Sequence, residues 1–192
     1  AFEGSRARRS SYLLGERSRD GFWHYYPFAL LVKEPLAAIV AMILATFVAL
    51  RWVRRREIDA AKSSWLLSCL VVPPAIWAIV TVASRVDDGM RQIFPVLPFL
   101  FIATGAVAGR AMRLYGPTAS RIVVVLGVLL AIESLLAWPN YIAFFNVAAG
   151  GSRGGLRLLG DSSLDWGQDL KLIAAWQRAH PQEKLFLAWG GT

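Results

Sequence analysis

Four blocks of apolar residues dominate the middle of this 192-residue chain. They cover Leu36–Val53, Trp65–Ala83, Ile93–Ala108 and Ile122–Trp138. About 20 apolar residues cross the hydrocarbon core of a bilayer, with a usual range of about 17–25. In lipid such a segment must be helical, because unpaired backbone groups are too costly there. The pattern predicts an all-α polytopic membrane protein with four transmembrane helices, of which the third block gives the shortest.

The basic residues are distributed unevenly between these blocks, and this predicts the orientation of the chain. Its formal net charge is +8. Two of the three connecting segments are Arg-rich, with Arg51, Arg54, Arg55, Arg56 and Lys62 in the first and Arg110, Arg113 and Arg121 in the last. Such segments lie on the cytoplasmic side. We therefore expect both chain ends to be extracytoplasmic, in a bacterial inner or plasma membrane, with no nucleic-acid partner.

The polar segments at the two ends divide the chain into three parts. Residues 1–35 are predicted to form an extracytoplasmic or interfacial segment, residues 36–138 the four-helix transmembrane region, and residues 139–192 an extracytoplasmic carboxy-terminal segment. In this last part Asp165–His180 has the apolar spacing of a helix, and Leu185–Trp189 that of a short strand. We read it as the start of a small α/β segment and the chain as a fragment of a longer protein.

Two cationic residues stand at the predicted outer ends of helices. Lys33 precedes the first block, where its ammonium group either contacts an anionic head group or extends to the interface as an ordinary anchoring lysine. Arg91 precedes the third block and offers the donor fork that matches a phosphate. The alternative for Arg91 is an ion pair with Asp87 or Asp88.

One acid, Glu133, lies inside the fourth block, about one helical turn from its outer end. An ionisable residue at that depth is costly, so it is a functional candidate. The alternative is a structural role as the partner of an Arg or Lys on a neighbouring helix.

The densest polar cluster follows the last block and contains Asp161, Asp165, Gln168 and Asp169. Three carboxylates at a spacing of four can bind a divalent cation through oxygen ligands. Asp165 and Asp169 are also explained as the N-cap and a first-turn acid of the predicted helix. We therefore predict no metal site and no cofactor, with a divalent cation as the alternative.

Several short motifs occur in an order that resembles a known family. They are Tyr12-Leu-Leu-Gly-Glu16, Tyr25-Tyr-Pro-Phe-Ala-Leu-Leu-Val-Lys33-Glu-Pro35, Arg91-Gln-Ile-Phe-Pro-Val-Leu-Pro98, Pro139-Asn-Tyr-Ile-Ala-Phe-Phe-Asn146 and Asp161-Ser-Ser-Leu-Asp-Trp-Gly-Gln-Asp-Leu170. Together they resemble bacterial members of glycosyltransferase family 39, related to the dolichyl-phosphate-mannose-protein mannosyltransferases. The resemblance covers nearly the whole chain, and its last motif is the most specific.

The resemblance implies a GT-C-like membrane fold and a hexosyltransferase that moves a sugar from a polyprenyl-phosphate carrier to an extracytoplasmic acceptor. It implies that Arg91 and Lys33 face the phosphate of the carrier. The base of such enzymes lies on a first outer loop that would precede this chain, so no catalytic residue is assigned and the isolated chain is expected to be inactive. The alternative function is a segment of a membrane transporter or flippase. The sugar and the acceptor are left open.

Overall fold

The computed structural model describes residues 11–55, 60–84, 87, 89–155, 157–160, 167 and 169–186, and these are mostly helical. Two short strands and seven α-helices are found in this part of the chain: β1 Ser11–Leu13, β2 Glu16–Ser18, α1 Tyr25–Lys33, α2 Leu36–Arg54, α3 Ala60–Ser84, α4 Leu97–Tyr115, α5 Pro117–Leu136, α6 Gly151–Gly155 and α7 Leu170–Ala179. Three 3-10 turns accompany them, at Met90–Gln92, Phe94–Val96 and Val147–Ala149.

Strands β1 and β2 form an antiparallel hairpin that the sequence did not predict. Leu13 is paired with Glu16, so Leu14 and Gly15 form a two-residue turn. Both turn residues have a positive φ, 53° and 92°. This is the backbone that two-residue hairpin turns favour, and glycine adopts it readily.

Helices α2, α4 and α5 pack against one another, and α3 packs along α4. Their apolar side chains are largely exposed: no residue of the apolar window of α5 is buried, and only 17% of the α2 window is. A helix of a soluble bundle shows one apolar stripe that faces a core. These helices are apolar on all sides, as helices that face lipid are.

Three helical segments are long and apolar enough to cross a membrane, Leu36–Arg54, Met90–Tyr115 and Pro117–Leu136. They correspond to the first, third and fourth predicted blocks. The second block lies in α3, which contains Pro73 and Pro74 and whose apolar stretch Ser68–Ser84 is shorter. The prediction of membrane helices is thus confirmed for three of the four.

The Arg-rich connection after the third block is helical rather than a loop. Helix α4 continues through Arg110 and Arg113 to Tyr115, and α5 begins at Pro117. Gly116, with a φ of 62°, makes the corner between them. Proline suits the first position of a helix and glycine the position after one. The predicted end at Ala108 was therefore too early, because charged residues end an apolar block without ending the helix.

The carboxy-terminal segment agrees with its prediction only in part. Helix α7 begins at Leu170, five residues later than predicted, and Asp169 occupies the N-cap position without a capping side-chain hydrogen bond. Leu185 and Phe186 are not in a strand, and the rest of the predicted strand lies outside the described residues. Among the described residues the sheet is the amino-terminal hairpin, so the predicted α/β segment is not observed.

The buried core lies at one end of the helices. It consists of side chains from the hairpin, α1, the 3-10 turns and the loop after α5, namely Leu13, Tyr25, Tyr26, Ala29, Val32, Met90, Ile93, Val96, Phe145 and Leu159. The two terminal segments meet there, since Leu14 N donates to Leu158 O at 2.9 Å and Leu13 bridges Leu159. Both polar segments are therefore at the same end of the bundle.

Candidate functional site

The end of α1 is fixed by one buried asparagine from the loop after α5. The last carbonyls of a helix have no partner within it. Asn146 is 1% exposed, and its Nδ2 donates to Leu31 O at 2.7 Å and Glu34 O at 3.0 Å. Its backbone N donates to Val32 O at 3.0 Å. Residues 31–34 are therefore held rigidly against the loop, although they are more than a hundred positions away in sequence.

Lys33 is the last residue of α1 and lies in this junction. Its Nζ donates to Ile142 O at 2.8 Å and lies 4.1 Å from the centre of the Phe145 ring. Burial lowers the pKa of Lys33 from 10.5 to about 8, because the charged form loses hydration. The Ile142 carbonyl and the face of the Phe145 ring are both favourable contacts for an ammonium group.

The Phe145 ring under this ammonium group is itself fixed by close packing. Phe145 is 2% exposed. A Cβ atom at Gly155 would overlap the Phe145 ring. Glycine at position 155 thus allows the ring to reach its place, and the loop, α6 and Lys33 form one packed unit.

Glu34 follows Lys33 and is also buried, with 8% of its surface exposed. Burial raises the pKa of Glu34, since desolvation disfavours the carboxylate. The sequence marked only the lysine of this pair. The structure shows that Glu34, the residue after Lys33, is also partly desolvated, so burial disfavours the charged form of both side chains.

Arg91 lies on the 3-10 turn before α4, and its side chain is exposed. Its positive charge lowers the pKa of Tyr26, whereas burial and the negative charge of Asp87 outweigh it and raise that pKa. The Tyr26 hydroxyl donates to Gln92 Oε1 at 2.9 Å. The charge of Arg91 therefore acts on Tyr26 of α1, which lies about two helical turns before Lys33.

Asp87, one of the two acids weighed as a partner of Arg91, is buried against the amino-terminal segment. Its Oδ2 accepts a hydrogen bond from Phe22 N at 2.7 Å, while its Oδ1 is buried with no hydrogen-bond partner among the residues that the structure describes. Burial raises the pKa of Asp87, against the opposing effects of the hydrogen bonds from Phe22 and Ser11 and of the nearby His24. The contacts of Asp87 thus hold the hairpin segment. The other acid, Asp88, lies outside the described residues.

Glu133 has a role that neither sequence-based alternative foresaw. Its Oε1 accepts a hydrogen bond from Leu36 N and its Oε2 one from Ala37 N, each at 3.1 Å. These amides belong to the first turn of α2, where backbone N–H groups lack partners and the helix dipole favours a negative charge. Glu133 therefore caps the start of a neighbouring helix, and these contacts support a structural role through backbone amides rather than through an Arg or Lys.

Most residues of the carboxylate cluster after α5 lie outside the residues that the structure describes. Asp161, Asp165 and Gln168 lie outside the described residues, and Asp169 is exposed at the start of α7. Within the described ranges no group of three His, Cys, Asp or Glu side chains is placed to hold a metal ion. The divalent-cation alternative is therefore untested.

Asn146 is the last residue of one of the motifs that carry the family resemblance, but the sequence alone predicts no role for it. An asparagine followed by Gly150-Gly151 indicates a loop, and this was the one local signal available. Its partners on α1 could not be identified from that signal. No protein-family model, curated protein or solved structure matches the chain. The resemblance to glycosyltransferase family 39 therefore remains a prediction that rests on the order of the motifs.

Proposed function

We propose that this chain is part of a membrane glycosyltransferase that moves a sugar from a polyprenyl-phosphate carrier to an extracytoplasmic acceptor. In this proposal Lys33 and Arg91 bind the phosphate of the carrier. The observation that carries it is the partly desolvated ammonium group of Lys33, which contacts the Ile142 carbonyl and the Phe145 ring three residues before a helix that is long enough to span a membrane.

The surroundings of Lys33 favour an anionic ligand. Removing an ammonium group from water is costly unless a counter-charge replaces the lost hydration. The end of α1 favours a cation through the helix dipole, by about 0.3–1 kcal/mol. Burial lowers the pKa of Lys33, whose Nζ contacts the Ile142 carbonyl and the Phe145 ring. A phosphate oxygen beside Nζ would further favour the charged form of Lys33.

Arg91 provides the second contact. Its side chain is exposed on a turn that contacts α1, whereas that of Lys33 is half-buried. A guanidinium group binds phosphate with two parallel hydrogen bonds and keeps its charge at any physiological pH. An exposed arginine and a half-buried lysine on these two contacting elements suit a carrier whose phosphate enters from the bilayer surface. Both groups would stabilise the phosphate as it becomes the leaving group.

The proposal includes a fourth membrane crossing by α3. The amino-terminal hairpin and the loop after α5 contact each other, so the chain returns to the end from which it started. A return of this kind needs an even number of crossings, which supports α3 as the additional one. The Arg-rich ends of α2 and α4 would then be cytoplasmic and the Lys33 end extracytoplasmic.

Equilibrium binding to the purified chain in detergent tests the site. The ligands are a polyprenyl phosphate and the polyprenol of equal length, so that only the phosphate differs. We expect the phosphate to bind more tightly and expect Lys33→Met and Arg91→Gln each to remove about tenfold of that difference, on the order of 1.4 kcal/mol. Lys171→Met and Arg178→Gln, at exposed positions on α7, serve as matched controls. Equal binding of the two lipids to the wild-type chain refutes the site.

A further inference from the structure

An apolar groove with a volume of about 570 Å³ lies between α2, α4 and α5. Its walls are built largely from small residues, including Ala41, Ala45, Ala108, Ala111, Ala119 and Gly127. These small side chains leave space between the three helices. The helices around this space also carry exposed apolar residues on their outer surfaces. Such a surface is suited to hydrocarbon rather than to water.

The groove has the length of one lipid chain. Along α5 it extends from Thr118 to Leu130, which at 1.5 Å per residue is about 18 Å. One leaflet contributes about 15 Å to the hydrocarbon core. The groove is lined by apolar side chains of all three helices over this length. An extended acyl chain matches both the length and the apolar lining.

One end of the groove is strongly basic. It opens at Tyr115 and Thr118, at the corner between α4 and α5. The helix ends that meet there carry Arg51, Arg54, Arg110, Arg113 and Arg121, and the described residues of those helix ends include no acid. Charge complementarity therefore selects an anionic head group, since each basic residue near a membrane surface contributes about 1 kcal/mol of attraction.

The basic end is also structurally preformed. Trp52 is 2% exposed, and its Nε1 donates to the Tyr115 hydroxyl at 3.0 Å. Arg110 lies over the Trp52 ring, with its Cζ 4.9 Å from the ring centre. These contacts join the end of α2 to the end of α4 and fix the spacing of the groove entrance. The site therefore exists before a lipid enters.

We propose that this groove binds one acyl chain of an anionic glycerophospholipid whose phosphate contacts the arginines at the Tyr115–Thr118 end. The head-group end of this site is separate from the carrier site, because Lys33 is at the opposite end of α2, towards which the apolar part of the groove extends as far as Ala37. The bound lipid lies in the groove that remains between three helices packed against one another. It acts as a structural component of the bundle.

The test measures lipid binding to the purified chain by native mass spectrometry in detergent. Phosphatidylglycerol is compared with phosphatidylcholine of the same acyl chains. We expect phosphatidylglycerol to be preferred and the double variant Arg110→Gln/Arg121→Gln to reduce this preference by about fivefold per arginine. The control Arg153→Gln, an exposed arginine on α6 at the other end, leaves the preference unchanged.

A second variant tests the groove itself without loss of the fold. A Cβ at Gly127 has no neighbour within 4 Å, and Gly127 lines the groove, so Gly127→Leu extends a side chain into the groove and also favours the helix. We expect it to weaken binding of both phospholipids. Gly105→Leu is the matched control, because Gly105 is equally open but does not line the groove.

Three results overturn the proposal. The first is equal binding of the two phospholipids to the wild-type chain. The second is wild-type binding by the folded Gly127→Leu variant. The third is displacement of phosphatidylglycerol by a polyprenyl phosphate at equal concentration, which would assign the groove to the carrier.

Discussion

The contact between Glu133 and the start of α2 gives the sharpest prediction for stability. Substituting alanine removes the acceptors of two hydrogen bonds, both 3.1 Å long, to Leu36 N and Ala37 N. These amides lie where α2 enters the apolar region, so water replaces the carboxylate poorly. We expect Glu133→Ala to destabilise the bundle and to loosen the first turn of α2.

The expected loss follows from the two bonds. A hydrogen bond to a charged group contributes about 1.5–3 kcal/mol, and loss of an N-cap costs about 0.5–2 kcal/mol. Because the two bonds share one carboxylate and are not additive, we expect about 3 kcal/mol for Glu133→Ala. Glu133→Gln keeps one oxygen acceptor but turns an NH₂ group towards the second amide. We expect it to lose about 1–2 kcal/mol.

Unfolding in mixed micelles with increasing sodium dodecyl sulfate, followed by circular dichroism, measures these losses. For a chain of this size 1 kcal/mol corresponds to about 2–4 °C in the melting temperature, so a thermal scan should detect both variants. Glu183→Ala, an exposed acid in the carboxy-terminal segment, is the control and should change stability by less than about 0.5 kcal/mol. If Glu133→Ala is as stable as the control, Glu133 does not cap α2 and this reasoning is wrong.

Three further predictions concern the junction around Lys33. Asn146→Ala removes three side-chain hydrogen bonds and should lower the free energy of unfolding by about 3 kcal/mol. The control Asn140→Ala, at an exposed position, should not lower it. Equal melting temperatures of the two variants would contradict this prediction. Gly155→Ala should destabilise the chain through its clash with a buried ring, in contrast to Gly127→Ala in open space, as thermal unfolding can show. Binding of polyprenyl phosphate should weaken as the pH rises through about 8, the pKa of Lys33. In Lys33→Arg the affinity should stay constant between pH 7 and 9. The same dependence of affinity on pH in both proteins would contradict a role of Lys33 in phosphate binding.

The same pKa has a consequence of opposite sign for stability. The pKa of Lys33 in the folded chain is about 8, below its usual 10.5. Between these values the unfolded chain binds the extra proton, so the contribution of Lys33 to stability rises with pH over this window. An increase in stability together with a decrease in phosphate binding separates titration of Lys33 from general unfolding at high pH.

The membrane helices could be predicted from the sequence because their signal is local. Each apolar block is continuous, and lipid allows only a helix for it. The ends were less predictable: α4 extends seven residues beyond the predicted Ala108, since Arg110 and Arg113 leave the apolar region but remain helical. Trp52, at the end of the first block, is buried against Tyr115 of α4, a contact that no local pattern indicates.

The contacts that build the candidate site could not be predicted in the same way. Glu133 and Leu36 are 97 positions apart, and Asn146 and Leu31 are 115 apart. No periodicity or spacing along the chain records such pairs. The sequence therefore identified Lys33 and Glu133 as unusual by their depth, but their partners came from the packing of distant segments.

We propose transfer of a sugar from a polyprenyl-phosphate carrier whose phosphate is bound by Lys33 and Arg91. The most direct measurement is sugar release from a panel of radiolabelled polyprenyl-phosphate sugars. It is made in membranes that contain the protein in its natural form, as wild type, Arg91→Ala, Lys33→Met and the control Arg153→Ala. We expect carrier-dependent release that falls at least about tenfold in Arg91→Ala and Lys33→Met, about 1.4 kcal/mol or more, and that stays unchanged in the control. Release that is equal in all four would contradict it.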